Sequence, residues 1–112
     1  MGGDILKKIF IAHSFGKTEF AKTLRQHYME AGYKVYLPCL DTPQDKGVNV
    51  VLESNLKGIQ WCDEVHVVWD GSSYGTIFDL GSAYALGKPI KVVSMPGRTW
   101  FSYLKENEGR YL

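Results

Sequence analysis

The sequence predicts an α/β protein, a three-layer sandwich in which helices cover both faces of a parallel sheet of four or five strands. Two observations lead there. Short apolar runs rich in β-branched residues alternate with segments of helical period, the pattern of strand–helix–strand units. These runs end at residues that stop a regular element, Pro38, Asp70-Gly71 and Gly87-Lys88-Pro89. Right-handed crossovers between such units give a flavodoxin-like or Rossmann-like topology, with strand order 2-1-3-4 as the expectation.

The first strand is expected over Lys8 to Ala12, where Ile9, Phe10 and Ile11 form a continuous apolar run. A helix from Lys17 to Ala31 follows, with Phe20, Ala21, Leu24, Tyr28 and Ala31 spaced for one face, and Gly32 ends it. Tyr33 to Leu37 reads as the second strand, stopped by Pro38. The polar stretch 39–49, with Pro43 and Gly47, reads as a mobile loop and a candidate lid. The next helix, Val48 to Trp61, places Val48, Leu52, Leu56 and Ile59 inward, with Asn55 carried beside that stripe. A polar side chain there needs a partner or a purpose. Glu64 to Trp69 is the third strand. The turn DGSSYG then feeds a helix from Thr76 to Leu86, with Ile77, Leu80, Gly81, Tyr84 and Ala85 inward. Ile90 to Ser94 is the last strand, and RTWFSYLKENEG reads as a short terminal helix docked through Trp100, Phe101 and Leu104.

With 112 residues, the chain (1–112) is read as one domain able to bury a core without metal or disulfide support. A net charge of only +1, with acidic and basic residues interspersed, argues against a nucleic acid polymer as partner. The two cysteines, Cys39 and Cys62, are far apart and lack metal-ligand spacing, so no metal and no cofactor is expected. No stretch approaches the ~20 apolar residues of a membrane span, and the expected setting is soluble and cytoplasmic.

Gly16-Lys17-Thr18 imitates the end of a phosphate-gripping P-loop. That motif requires a glycine where this chain has Ile11, inside a strand-forming run. What survives is a strand end followed by a helix start, whose free N–H groups can hold an anion. In doubly wound sheets ligands bind beyond the carboxyl ends of the strands, where the strand order reverses. That rule gathers His13, Ser14, Gly16 and Lys17, the 39–49 loop, and the turn Asp70, Gly71, Ser72, Ser73 and Gly75 around one crevice. Asp79 lies about 200° round its helix from Ile77, away from the expected apolar stripe. It either faces this crevice or complements the helix dipole. Asp70 is either a crevice carboxylate or a turn residue.

The segment ESNLKGIQWCDEVHVVWDGSSYGTIFDLGSAYALGKPIKVV, residues 53–93, resembles the nucleoside 2-deoxyribosyltransferase family, which includes 2-deoxynucleoside monophosphate glycosidases. Three features carry the resemblance: a polar residue seven before Cys62-Asp63, the Asp-Gly turn, and the run GTIFDLGSAYALGKP. The N-terminal stretch HSFGKTEFAKTLRQHYMEAGYKVYLP also looks like the opening of a TIR domain. A TIR-like reading would need a glutamate after the third strand region, where this chain offers Asp79.

The family resemblance implies cleavage or transfer of an N-glycosidic bond of a deoxynucleoside or its monophosphate, with the carboxylate before Leu-Gly attacking the anomeric carbon. That residue is Asp79, where relatives usually carry glutamate. Asn55 stands where relatives often have an aspartate that helps protonate the leaving base; an amide hydrogen-bonds but gives up no proton. By the same analogy Asp70, on the turn that supplies base contacts in relatives, partly replaces that missing acid as a catalytic residue, Ser73 contacts a 5′-phosphate, and His13 to Lys17 supply further contacts to base or phosphate. The implied partner is a small nucleoside or nucleotide. Relatives often complete the site from a neighbouring subunit, which implies a homodimer or higher homo-oligomer. The aromatic C-terminus is expected to form such a surface, cover the crevice or dock on the core. The alternative to an enzyme is a nucleotide-binding module on the same fold that senses or sequesters its ligand.

Overall fold

The structure, a computed structural model, describes residues 6–71 and 73–94; Ser72 and the expected terminal helix lie outside them. Strands β1 (Lys8–His13), β2 (Lys34–Tyr36), β3 (Glu64–Val68) and β4 (Ile90–Ser94) form one parallel sheet in the order β2-β1-β3-β4. Helices α1 (Thr18–Glu30), α2 (Pro38–Asp41), α3 (Val48–Trp61) and α4 (Tyr74–Ala85) connect them, with a 3-10 turn over Phe15–Lys17. The α/β class and the strand order are those the sequence predicts.

Two cores result from the two faces of the sheet. Phe10, Ala12, Val65, Val67, Ile90 and Val92 alternate onto one face and pack with Ile59 of α3 and Leu80 and Ala83 of α4. Ile9, Ile11 and Val68 take the other face, under Ala21, Leu24 and Tyr28 of α1. The central strands are buried on both sides, which is why Ile9 through Ala12 is continuously apolar.

Several elements differ from expectation for identifiable reasons. On α1 the buried stripe is Ala21 with half-buried Leu24 and Tyr28, while Phe20 is exposed one residue off that line. On α3 the buried residues are Asn55, Gly58 and Ile59, and Val48 is 72% exposed on the first turn, which starts at the crevice rim. On α4 the buried residues are Thr76, Asp79, Leu80 and Ala83, whereas Gly81, Tyr84 and Ala85 face outward. Small residues on both sides of α4 leave its apolar pattern weak, so packing against α3 sets the rotation. The expected lid is partly helical. Pro38 occupies the first turn of α2, where its missing N–H costs nothing, and Asp41 Oδ2 accepts from the Leu37 N–H at 2.8 Å.

Gly58 lets α3 approach the sheet. A Cβ there would lie 3.0 Å from Tyr36 Cγ and 3.1 Å from Phe10 Cδ2. Those two rings stack at 5.3 Å and 9°, so neither yields easily. We expect Gly58→Ala to lose roughly 1–2 kcal/mol, because the overpacking outweighs the gain in helix propensity. Thermal unfolding should show a Tm several degrees lower; an unchanged or raised Tm would show that the helix can slide away from the rings.

Candidate active site

At the carboxyl ends of the strands the chain leaves β1 toward β2 and leaves β3 toward β4, so the connections diverge and a crevice opens. Ser14 ties the two strand ends together. Its N–H donates to the Val68 carbonyl at 3.0 Å, and its hydroxyl oxygen accepts from the Asp70 N–H at 3.0 Å. Ser14 is fully buried, and its hydroxyl is bound to this junction. Beside it, a Cβ on Gly16 would stand 2.9 Å from Asp70 Oδ2, so any larger residue there would push the Asp70 carboxylate aside. Gly71 follows at φ 98° and turns the chain toward α4.

The crevice holds a cavity of about 420 Å³. His13, Phe15 and Thr18 line it from β1 and the start of α1; Pro38, Cys39 and Gln44 from α2 and its loop; Val51 and Asn55 from α3. The turn and α4 add Ser73, Gly75, Thr76 and Asp79. Of the residues singled out in the sequence, the cavity therefore gathers His13, Asn55, Ser73, Gly75 and Asp79. Ser14, Gly16, Lys17, Asp70 and Gly71 are not on its wall; Ser14, Gly16 and Asp70 belong to the junction beside it.

Asp79 is only 4% exposed. It reaches the cavity from within the buried stripe of α4, not from the opposite side of the helix. Its hydrogen-bond partner is the Asn55 amide nitrogen, 3.3 Å from Oδ1 and 3.5 Å from Oδ2. Burial pushes the carboxyl up from 3.8 to about 7, and the long Asn55 bond only partly offsets this. The far side of Asn55 is occupied too: Thr42, 5% exposed, donates its hydroxyl to Asn55 Oδ1 at 2.7 Å, and Tyr36 lies 2.6 Å behind Thr42.

His13 Nδ1 lies 3.0 Å from the Ser14 carbonyl, which can only accept. The neutral ring therefore carries its proton on Nδ1 and leaves Nε2 as the unprotonated nitrogen. Burial lowers the pKa of this histidine. Ser73 caps α4, accepting from the Thr76 N–H at 3.2 Å and the Thr76 hydroxyl at 3.1 Å.

Thr18, Val51 and Thr76 on the wall, and Tyr36 behind it, are contributors that pattern reading missed, and within the 39–49 loop it did not single out Thr42 or Gln44. Thr42 sits in an aperiodic stretch between two prolines, and only the L-P-x-x-D helix start, Leu37 to Asp41, hinted that this stretch is ordered.

Residues 10–111 match the model of the family described as nucleoside 2-deoxyribosyltransferase. Among solved structures, the fold is similar to the 2-deoxyribosyltransferase of Bacillus psychrosaccharolyticus, with TM-score 0.70 and 22% identity over 82% of this chain and 76% of that one. It is also similar to the Clostridium botulinum CMP N-glycosidase BcmB, with TM-score 0.66 and 20% identity over 94% and 82%. No curated protein matches the sequence.

The raised pKa of Asp79 has a consequence for stability. Between the ordinary carboxylate value of 3.8 and about 7, the folded chain holds a proton that the unfolded chain releases, so stability falls as pH rises through that window. The penalty above it has a ceiling on the order of 4 kcal/mol at 1.36 kcal/mol per unit. Asp79→Asn removes it, and thermal melts should show a Tm raised by roughly 5 °C at pH 8, with the gain shrinking toward pH 4. A gain equal at both pH values would mean that Asp79 titrates normally.

Proposed function

Because the chain belongs to the nucleoside 2-deoxyribosyltransferase family, we propose that this cavity breaks the N-glycosidic bond of a deoxynucleoside or deoxynucleoside monophosphate, with Asp79 as the nucleophile. The observation that carries the reading is the Asp79 carboxylate, buried at the cavity wall and held by an amide donor. A carboxylate with little solvation is a stronger nucleophile and a better stabiliser of an oxocarbenium-like centre than one in water.

An Asp79 oxygen bonds to the anomeric carbon as the carbon–nitrogen bond breaks, and the bonding pair leaves with the base, which takes up a proton. Asn55 has none to give; it steadies the carboxylate. His13, on the same cavity wall, supplies the proton as imidazolium. It recovers it from the water, or from the incoming base, that then displaces Asp79 from the glycosyl ester. Water gives hydrolysis and a second base gives transfer, and the two solved neighbours bear names of both kinds. Ser73 and Gly75, on the cavity wall at the start of α4, meet the sugar or its 5′-phosphate in this reading. The reading extends to one domain over residues 1–112 working as a homo-oligomer in the cytoplasm.

A second reading, a nucleotide-binding module without turnover, draws support from the same contact. The family's usual glutamate is one methylene longer than Asp79, and an amide stands in place of the acid at Asn55. A reach short by about 1 Å can cost on the order of 10²-fold in rate.

Base release from a panel of deoxynucleosides and their monophosphates, followed by chromatography, decides between these readings. The expected kcat/KM profile is a bell, because Asp79 must be ionised and His13 protonated, with its maximum below neutrality because burial lowers the histidine. Asp79→Asn should lower release on the order of 10³-fold or more, and His13→Gln should remove the alkaline limb. Tight binding with intact ligand, together with release created by Asp79→Glu, would overturn the enzyme reading.

A further inference from the structure

We propose that Thr42 and Tyr36 are positioning residues, whose hydroxyls polarise the Asn55 side chain so that its amide nitrogen, not its oxygen, faces Asp79. An amide has two ends of nearly equal shape, so its orientation is decided by what each end meets. An ionised carboxylate only accepts, and it selects the nitrogen. The opposite end of Asn55 must then accept, and it finds Thr42 Oγ1 at 2.7 Å. Thr42 has one hydroxyl proton. Once that is given to Asn55, its oxygen has to accept from Tyr36, 2.6 Å away. The Tyr36 proton has one other outlet, the Ser54 carbonyl, but at 3.4 Å this is a poor one. The protons of the chain therefore run inward, from Tyr36 through Thr42 and Asn55 to Asp79. A reversed chain would set the amide oxygen against the carboxylate. Because Thr42 and Asn55 are 5% and 7% exposed, water cannot easily repair that arrangement.

The fold holds Thr42 in place. It follows α2 directly, and the Gln44 amide clamps the segment by donating to the Pro38 carbonyl at 2.9 Å and the Thr42 carbonyl at 3.1 Å. Tyr36 is held independently by its stack on Phe10. Among the described residues, the titratable groups around Asp79 are His13 from β1, Cys39 from α2 and Tyr36 from β2, while α3 presents Val51 and Asn55, which do not titrate. Loss of the Thr42 hydroxyl lets Asn55 turn over, and a carboxyl facing an amide oxygen keeps its proton to higher pH.

The importance of this for catalysis rests on the glycosidic reading, but the orientation can be tested without it. Carbon-13 NMR titration of Asp79 in substrate-free protein reads the effect directly. Thr42→Val should raise the apparent pKa by roughly one unit and Tyr36→Phe by less, whereas Thr42→Ser should leave it near the wild-type value. In an Asn55→Ala background, Thr42→Val should have no effect, because Thr42 acts through Asn55. Tyr36→Phe retains the ring stack and Thr42→Val the side-chain shape, so both variants should remain folded, as amide spectra will show. A folded Thr42→Val with an unchanged Asp79 titration, or the same shift with Asn55 absent, overturns the proposal. Absence of base release in every variant would defeat the glycosidic reading alone.

Discussion

A carboxylate buried between two helices is the constraint on which the arrangement of this protein turns. Asp79 on α4 meets Asn55 on α3, and neither side chain can be left unpartnered so far from water. That contact accounts for the rotation of α4, which buries Thr76 and Asp79 beside Leu80 and Ala83 and leaves Tyr84 outside. It also depends on how closely α3 lies on the sheet. Gly58, one turn along from Asn55, admits the stacked Phe10 and Tyr36 rings. Tyr36 is thus both part of the core and the outer end of the hydrogen-bond chain leading to Asp79.

The crevice divides residues that look alike in sequence into two groups with different physical roles. Ser14, Gly16 and Asp70 join the ends of β1 and β3 through a committed hydroxyl and a close backbone passage. His13, Ser73 and Gly75 stand a residue or a few away and line the cavity. Without the junction the two strand ends could splay, and the distance across the cavity would not be defined. The outer loop contributes in the same way: Asp41 and Gln44 satisfy backbone groups around α2, and that order delivers Thr42 to Asn55.

A site of this kind opposes the stability of its own fold. The energy that holds Asp79 near its protonated form is energy the folded state forgoes at neutral pH. A second network on the other face, running from buried His66 out to exposed Lys7, makes the contrast. There His66 lies between Tyr28 at 2.6 Å and Glu64 at 2.9 Å, and Glu64 reaches Lys7 at 2.8 Å. Each of those groups meets a matched partner. Asp79 instead has a neutral amide at a long distance on a cavity wall, which offsets little of the cost of burying its charge.

Much of the fold was legible because strand and helix periods are local properties. The four strands and the span of α3 follow from apolar runs and breakers, and the order 2-1-3-4, with its diverging connections, is one that right-handed crossovers allow. Asp79 and Asn55 were legible as candidates, through a motif and through a polar residue on an apolar stripe. Their contact was not, because it joins residues 24 positions apart on helices whose rotation the weak pattern of α4 leaves undecided. Thr42 was invisible for a related reason: a hydroxyl in an aperiodic loop acquires a partner only when α2 and α3 are packed. The sequence by itself determined the layers and the end of the sheet at which the crevice lies. Tertiary packing decided which side chains enter the cavity, how Asn55 is oriented and how far Asp79 is removed from water, because hydrogen-bond direction and desolvation exist only between elements already brought together.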